Sequence, residues 1–250
     1  MSFDANCAAV IPCHNEAGAI GGGVASVRSR LPRVIVADDG STDRTGEIAA
    51  AEGAEVVRSP RRRGKGAALR AALRRCAELG ADWSLTLDGD GQHDAGDIPR
   101  FLAAGERSDT GLIIGDRMAA AARMPHARRV VNTLMSRALS LASGRRLPDT
   151  QCGFRLMRLD SQFLGRLTAD RFETESDQIV AALELDWNIS FVPVACAYRS
   201  EQSKIRPLPD AVRWLRWPTS NQSRLAEIRR RGARPDSPAL SLSRPAPAHS

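Results

Sequence analysis

The chain has 250 residues, of which 42% are hydrophobic and 26% charged, and its formal net charge is +7. This composition excludes wholesale disorder, and the length favours a single α/β domain. The segment 218–250 holds six Arg and two acidic residues, a net charge of +4, which leaves +3 for the rest. A nearly balanced body argues against nucleic-acid binding, whereas the basic tail suits either an anionic lipid surface or simple solvation.

The first half alternates short apolar runs with helix-patterned stretches. The predicted strands are Cys7–Ile11, Arg33–Ala37, Ala54–Val57 and Trp83–Leu87. The predicted helices are Ile20–Leu31, Asp43–Glu52 and Lys65–Leu79. This alternation predicts a mostly parallel sheet that is flanked by helices on both faces.

The second half is less regular, and its composition changes near the end. The predicted strands are Leu112–Ile114, Gly153–Met157 and Ile189–Ala197, and the predicted helices are Ala127–Ala142 and Thr174–Leu185. After Trp217 the chain becomes rich in Ser, Pro, Arg and Ala. We therefore predict one folded domain at 1–217 and a disordered basic tail at 218–250, mainly beyond Gly232.

Cysteine spacing and the lack of long apolar runs indicate the compartment. The five cysteines include no C-x-x-C pair, and Cys7, Cys76 and Cys196 lie in apolar-patterned segments. Buried free thiols of this kind are typical of a reducing cytosol. There is no N-terminal signal pattern and no run of eighteen apolar residues, so we expect a cytoplasmic protein, at most peripheral at the inner membrane face.

Polar clusters follow three of the predicted strands. Pro12–Glu16 follows the first strand, Asp38–Ser41 the second and Asp88–Gln92 the fourth. The carboxyl ends of parallel strands meet at one edge of a sheet, where ligands bind in folds of this class. We therefore expect these clusters to form one site.

The pair Asp88 and Asp90 is the strongest chemical signal. Two carboxylates about 4 Å apart repel by about 4 kcal/mol at an effective dielectric constant near 20, and a divalent cation removes that cost. Oxygen ligands with room for water favour Mg²⁺ or Mn²⁺, with diphosphate oxygens completing the shell. An EF-hand loop is excluded because its sixth position is His93 and its twelfth is Pro99. An ordinary Asp/Gly surface turn is the remaining alternative.

A basic segment opens the third predicted helix. Backbone N–H groups around Gly64 and the Lys65 side chain are expected to form a phosphate cradle at this helix start. The segment is not a Walker loop, because Lys65 is followed by Gly66 rather than Ser or Thr. A solvated basic turn is the alternative.

Taken in order, these motifs resemble those of the family-2 glycosyltransferases with the GT-A fold, above all the dolichyl-phosphate mannose and glucose synthases and bacterial polyprenyl-phosphate glycosyltransferases. The matching stretches are Val10–Glu16, Ala37–Asp43, Gly64–Gly66, Leu87–Asp94, Gly115–Arg117, Asp149–Arg155 and Ser203–Lys204. The resemblance implies a single Rossmann-like GT-A domain. Its nucleotide-sugar half would span about 1–117 and its acceptor half about 118–217.

The resemblance also implies roles for individual residues. The residues expected near the nucleotide are Pro12, Asn15, Glu16, Asp39 and Lys65, with Lys204 neutralising the diphosphate. The residues expected to hold metal and diphosphate are Asp88, Asp90 and Gln92. The residues expected at the acceptor phosphate and the sugar are Arg117, Arg128, Arg129, Ser136, Gln151 and Glu175. For Gln151 the alternative is a buried strand start, and for Glu175 an acid that complements a helix dipole.

The implied reaction is metal-dependent, inverting transfer of a hexose from a nucleotide-diphosphate sugar, such as UDP-glucose or GDP-mannose, to a polyprenyl-phosphate acceptor. An acceptor phosphate needs no general base, whereas a hydroxyl acceptor would need one, with Asp90 and Glu175 as candidates. Two alternatives stay open. One is a family-2 enzyme acting on a hydroxyl of a polysaccharide, glycolipid or small molecule, and the other is a non-catalytic nucleotide-sugar-binding protein.

Many proteins that share these motifs carry transmembrane helices after the catalytic domain, and this sequence has none. In their place, Trp214 and Trp217 lie three residues apart in an Arg-containing amphipathic segment. This segment is expected to lie in a lipid headgroup layer, to dock a membrane-protein partner, or to pack on the core as a terminal helix.

Overall fold

The computed structural model describes residues 3–107, 110–118, 124–171, 173–196, 217 and 220–232. The strands are β1 Cys7–Cys13, β2 Val34–Asp38, β3 Glu55–Arg58, β4 Trp83–Thr86, β5 Thr110–Asp116, β6 Arg155–Arg158 and β7 Asn188–Pro193. The helices are α1 Ile20–Arg28, α2 Thr45–Ala51, α3 Lys65–Glu78, α4 Ile98–Arg107, α5 His126–Ser143, α6 Ser161–Arg166, α7 Thr174–Glu184 and α8 Gln222–Gly232. Short 3-10 turns occur at Phe3–Asn6 and Ala95–Asp97.

The seven strands form one sheet in the order β3-β2-β1-β4-β6-β5-β7. Strand β6 runs antiparallel to both of its neighbours, and every other pairing is parallel. Helices α1, α2 and α3 pack on the first half of the sheet, while α4 and α7 pack on β5 and β7. The predicted mostly parallel α/β sheet flanked by helices is confirmed.

Strand β1 explains how the chain leaves the sheet at the site. All seven of its residues are buried, as expected for a central strand covered on both faces. Its pairing with β4 ends at Val10 opposite Thr86, so Pro12, which has no N–H group, lies beyond the shared register. A Cβ atom on Gly89 would lie 2.9 Å from the Pro12 carbonyl oxygen. The turn after β4 therefore passes directly over the end of β1.

All seven predicted strands and five predicted helices occur, with boundaries shifted by a few residues. Helices α4, α6 and α8 were not predicted. Helix α8 lies in the part of 218–250 before the predicted disorder beyond Gly232, and its Leu225 and Ile228 are only 5% and 3% exposed and pack with the core. The Arg-rich composition of 218–250 conceals this i, i+3 apolar pair. The disorder predicted mainly beyond Gly232 concerns residues outside the described part of the chain and stays a prediction.

The cysteines and the helix lengths bear on the predicted compartment. All five cysteines are free thiols; Cys7 and Cys76 are buried as predicted, whereas Cys196 is only half-buried. In the part of the chain that the structure describes, no helix combines the length and apolar character needed to cross a bilayer.

Candidate active site

The loops after β1 and β2 form one hydrogen-bonded unit. Asn15 has a positive φ of 54° and accepts the Thr42 N–H at 2.8 Å, while its own N–H donates to Ser41 Oγ at 3.0 Å. The Glu16 N–H donates to Thr45 Oγ1 at 2.8 Å. Asn at this left-handed position costs less than most residues. The expected nucleotide-binding residues of these two loops therefore lie side by side.

The carboxylate of Asp39 holds the segment that leads into α3. It accepts the N–H groups of Arg63 and Gly64 at 2.7 and 2.8 Å. Gly64 has φ 114°, and a Cβ there would lie 2.4 Å from the Asp170 carbonyl oxygen, so only Gly fits. The Ala67 N–H donates to that same oxygen at 3.0 Å. These N–H groups were expected to bind phosphate, but in the structure they donate hydrogen bonds to other residues of the protein.

Lys65 lies between two carboxylates from different loops. Its Nζ is 2.5 Å from Asp88 Oδ1 and 2.7 Å from Glu175 Oε1. Burial alone would lower the pKa of Lys65, but the charges of Asp88 and Glu175 outweigh it and raise the pKa above its usual range. The site therefore contains a cation that links the loop after β4 to the start of α7.

His93 contacts the other oxygen of Asp88. Its Nε2 is 3.5 Å from Asp88 Oδ2, its Nδ1 is 3.5 Å from the Cys196 sulfur, and its ring packs on Phe154. Burial alone would lower the pKa of His93, but the hydrogen bonds to Asp88 and Cys196 raise it to about 9. Burial also opposes ionisation of Asp88, yet Lys65 and His93 hold the pKa of this carboxyl well below its usual range. His93 lies in the Leu87–Asp94 motif, but no role was predicted for it.

Asp90 differs from Asp88 in its surroundings. Its Oδ1 accepts the Gln92 N–H at 3.0 Å, and no described side chain forms a salt bridge with it. Burial and the neighbouring charge of Asp88 both raise the pKa of Asp90. The Gln92 side-chain oxygen accepts from Arg128 Nη1 at 3.1 Å. Asp90 is therefore the carboxylate of this loop that would gain most from an added cation.

The donor set fits a divalent cation that is shared with a substrate. Among the described residues, no group of three or more acidic, His or Cys side chains could hold a metal by itself. Asp88, Asp90 and Gln92 supply carboxylate and amide oxygens, which are ligands that Mg²⁺ and Mn²⁺ prefer. Mg²⁺ is commonly held by one or two carboxylates together with substrate phosphates. The residues present fit that arrangement and do not fit a closed structural metal site.

Arg117 and Ser136 support the loop before β6 from inside the fold. Arg117 Nε and Nη2 donate to the two Asp149 oxygens at 2.8 and 2.9 Å. Ser136 Oγ accepts the Thr150 N–H at 2.9 Å. Both side chains are buried. Their polar groups thus hold the loop whose next residue, Gln151, was expected at the sugar.

Arg155 is a buried cation that the sequence analysis did not single out. It is 1% exposed and donates to the carbonyl oxygens of Cys152, Thr150 and Glu175 at 2.7, 2.9 and 2.6 Å. It also donates to Gln178 Oε1 at 3.1 Å. One guanidinium therefore fixes both the 150–152 loop and the first turn of α7. Its place at the end of the Asp149–Arg155 motif was the available signal.

The remaining predicted residues are placed less centrally or cannot be placed. Gln151 Nε2 donates to Thr150 Oγ1 at 3.0 Å. Arg129 is half-buried and follows Arg128 on α5. Lys204 and Trp214 lie outside the described residues, so the structure neither supports nor contradicts their expected roles. Trp217 is 8% exposed and packs with the core, which agrees with the core-anchor alternative.

Comparison with known proteins identifies the family. The profile of glycosyl transferase family 2 matches residues 8–162, which is more than half of the chain. The chain belongs to this family. It is 33% identical over 204 residues to glycosyltransferase AglJ of Haloferax volcanii, a match that covers 80% of this chain and 65% of AglJ.

Two further relatives are named for lipid-phosphate acceptors. The chain is 27% identical to the UDP-N-acetylglucosamine–dolichyl-phosphate N-acetylglucosaminyltransferase of Methanococcus voltae, over 76% of this chain and 84% of that protein. It is 31% identical to the undecaprenyl-phosphate mannosyltransferase of Micrococcus luteus, over 61% of this chain and 66% of that protein.

Solved structures show the same GT-A fold. Glucosyl-3-phosphoglycerate synthase from Mycobacterium tuberculosis, in complex with Mn²⁺, UDP-glucose and phosphoglyceric acid, superposes with a TM-score of 0.67 and 23% identity. The match covers 90% of this chain and 82% of that chain. The expected family-2 glycosyltransferase with a GT-A fold is therefore confirmed.

Proposed function

We propose that this family-2 glycosyltransferase moves a hexose from a nucleotide-diphosphate sugar to a polyprenyl-phosphate type of acceptor, with a divalent cation. The observation that carries the proposal is the pair Asp88 and Asp90 at the outlet of β4, beside Lys65 and Glu175. Asp88 lies against Lys65 and His93, whereas burial and the neighbouring charge of Asp88 raise the pKa of Asp90.

Donor binding is proposed for the joined loops after β1 and β2. Asn15, Glu16 and Asp39 lie together there, and Asp39 is used to orient the backbone at Gly64. We assign the base and ribose to this end of the site. The diphosphate then extends toward Asp90 and Gln92, where a bound Mg²⁺ or Mn²⁺ would stabilise the charge that develops on the leaving nucleoside diphosphate.

The acceptor assignment follows from charge and from relatives' names. Arg128 lies beside Gln92, so a cation of α5 borders the proposed diphosphate position. Two relatives are named for dolichyl phosphate and undecaprenyl phosphate. Glu175 Oε1 already accepts a hydrogen bond from Lys65 Nζ at 2.7 Å, so a hydroxyl acceptor would have to compete with Lys65 for this oxygen. A phosphate acceptor avoids this difficulty because it is already an anion.

The proposed reaction is a single displacement with inversion at the sugar. An oxygen of the acceptor phosphate forms the new bond to C1, and the bond from C1 to the diphosphate oxygen breaks. The nucleoside diphosphate leaves with the bonding electron pair. In this scheme Lys65 and Arg155 act by positioning, since Lys65 holds Asp88 and Glu175 while Arg155 holds the loops around them.

The direct test is product formation from a panel of donors and acceptors. Purified protein is given UDP-glucose, UDP-N-acetylglucosamine or GDP-mannose with Mn²⁺, and either a short-chain prenyl phosphate or a prenol that presents only a hydroxyl. Asp90→Asn should lower transfer by roughly 10²–10³-fold, the size expected when an electrostatic stabiliser is lost. Asp97→Asn, on the same connection but paired with Arg100, is the matched control and should retain activity.

Three outcomes would contradict the proposal. Full turnover in EDTA would exclude the cation, and equal activity of Asp90→Asn would exclude the assigned carboxylate. Transfer to the prenol but not to the prenyl phosphate would replace the acceptor class with a hydroxyl.

A further inference from the structure

Helix α5 carries a concentration of exposed apolar side chains. The large hydrophobic residues that are clearly exposed on the described surface are Leu79, Val130, Val131, Leu134 and Leu141, at 38%, 42%, 52%, 58% and 76%. Four of these five lie on α5. Monomeric proteins rarely expose contiguous apolar patches without a binding role.

The spacing places these residues on one side of the helix. Val130, Leu134 and Leu141, together with the exposed Arg137, follow the i, i+4, i+7, i+11 pattern, and Val131 lies beside them. We call these five residues the outer face of α5. The opposite side carries Asn132, Ser136 and Leu139, which are buried in the fold. The core already occupies the inner side, so the outer face is not needed for folding.

The charged residues along α5 are of one sign. From His126 to Arg146 the chain contains five Arg and no acidic residue. At the end of α5, a Cβ on Gly144 would lie 3.8 Å from Arg229 Cγ, so α8 brings a further Arg next to this helix. An apolar stripe with basic flanks is the composition of helices that lie in the headgroup region of anionic bilayers.

The N-terminal end of the outer face also lies close to the proposed diphosphate position. Arg128, two residues before Val130, donates to the Gln92 side chain beside Asp90. Helix α5 has 18 residues, a length of about 27 Å. A bilayer that contacts the outer face would therefore run from the edge of the site along the whole helix, and would present lipid phosphates at its N-terminal end.

We propose that the outer face of α5 docks on an anionic lipid bilayer, with Val130, Val131, Leu134 and Leu141 in the headgroup boundary and the flanking Arg on lipid phosphates. The inference rests on the proposed lipid-phosphate acceptor, because it explains how a chain could reach such a substrate at a membrane surface. It differs from the sequence-based expectation, which assigned membrane contact to the basic tail and to the segment around Trp214.

The experiment measures binding of the full chain to vesicles of phosphatidylcholine, with or without phosphatidylglycerol as the anionic lipid. Leu134→Gln combined with Leu141→Gln should lower partitioning by at least about tenfold, because several CH₂ groups lose their burial in the bilayer. Arg137→Gln should weaken binding to anionic vesicles several-fold and leave binding to neutral vesicles unchanged. The matched control is Leu79→Gln, an exposed leucine at the end of α3, which should bind like the wild type.

The outcomes separate this inference from the proposed reaction. The double variant should still transfer sugar to a short-chain acceptor in solution, since no outer-face residue touches the site. If the double variant and Leu79→Gln both bind vesicles as well as the wild type does, the docking surface is overturned and the proposed reaction is unaffected. If the wild type binds no vesicles but forms a dimer that the double variant does not form, the docking surface is also overturned. The outer face is then assigned to a second copy of the chain.

Discussion

Replacing Lys65 with Met tests the electrostatic organisation of the site. The substitution keeps a long apolar stem but removes the ammonium that lies 2.5 Å from Asp88 and 2.7 Å from Glu175. Removing one partner of a buried ion pair costs about 3–5 kcal/mol. Asp88 is 30% exposed and also has His93 as a neighbour, so a cost of about 3 kcal/mol is the better figure here. For a domain of this size, that corresponds to a melting temperature lower by roughly 6–12 °C.

The informative measurement is thermal unfolding with and without Mn²⁺. In the variant, Asp88, Asp90 and Glu175 face one another without the Lys65 charge, so a divalent cation should restore more stability than it adds to the wild type. Arg75→Met is the matched control, because Arg75 lies on the same helix but pairs with Glu55 and Glu78 rather than with residues of the site. An equal Mn²⁺ shift for wild type and Lys65→Met would refute the idea that Lys65 neutralises the cation-binding carboxylates.

Two further predictions concern the buried cations of the second half. Arg155→Met should lower the free energy of unfolding by about 3–5 kcal/mol in urea titrations, because three carbonyl oxygens lose their donor. Arg155→Lys should recover only part of this, since an ammonium cannot reproduce the planar fork, and full recovery would show that charge alone matters. Burial would raise the pKa of Asp149, but Arg117 outweighs burial and lowers this pKa. The ion pair therefore stabilises the fold at pH values above the usual Asp pKa, and this stabilisation is lost as the pH falls through the lowered pKa of Asp149. Asp149→Asn should therefore be less stable at pH 7 yet lose stability less steeply below about pH 4, and an unchanged acid slope would contradict this.

The first half of the fold was readable because its signals are local. Each strand of this half is a short apolar run, and three of the four are followed by a polar cluster at the same edge of the sheet. The proposed metal-binding role of Asp88 and Asp90 follows from their spacing just after β4 and stays a prediction. The proximity of Asn15 to Ser41 followed from the parallel order of β1 and β2.

Contacts between distant segments were not readable in the same way. Lys65 and Glu175 are 110 residues apart, and nothing in either local pattern indicates their ion pair. Arg155 lies within a strand, where a charged residue is usually read as exposed, yet it is buried because carbonyl oxygens from two other segments converge on it. Composition misled in α8, where Arg residues outnumber the two apolar side chains that anchor the helix.

The same helix has a physical connection to the site. Arg224 of α8 donates to Asp177 at 2.8 Å, and the other oxygen of Asp177 accepts the N–H groups of Thr168 and Ala169 at 2.6 and 2.9 Å. The next residue in that segment, Asp170, packs its carbonyl oxygen against Gly64 and accepts the Ala67 N–H at the start of α3. Helix α8 thus supports, through α7 and the 168–170 loop, the backbone that positions Lys65 beside Asp88. The composition of its segment alone would indicate a dispensable tail. Helix α8 also packs against α5, so the helix proposed to contact the membrane and the charges at Lys65 share one structural support.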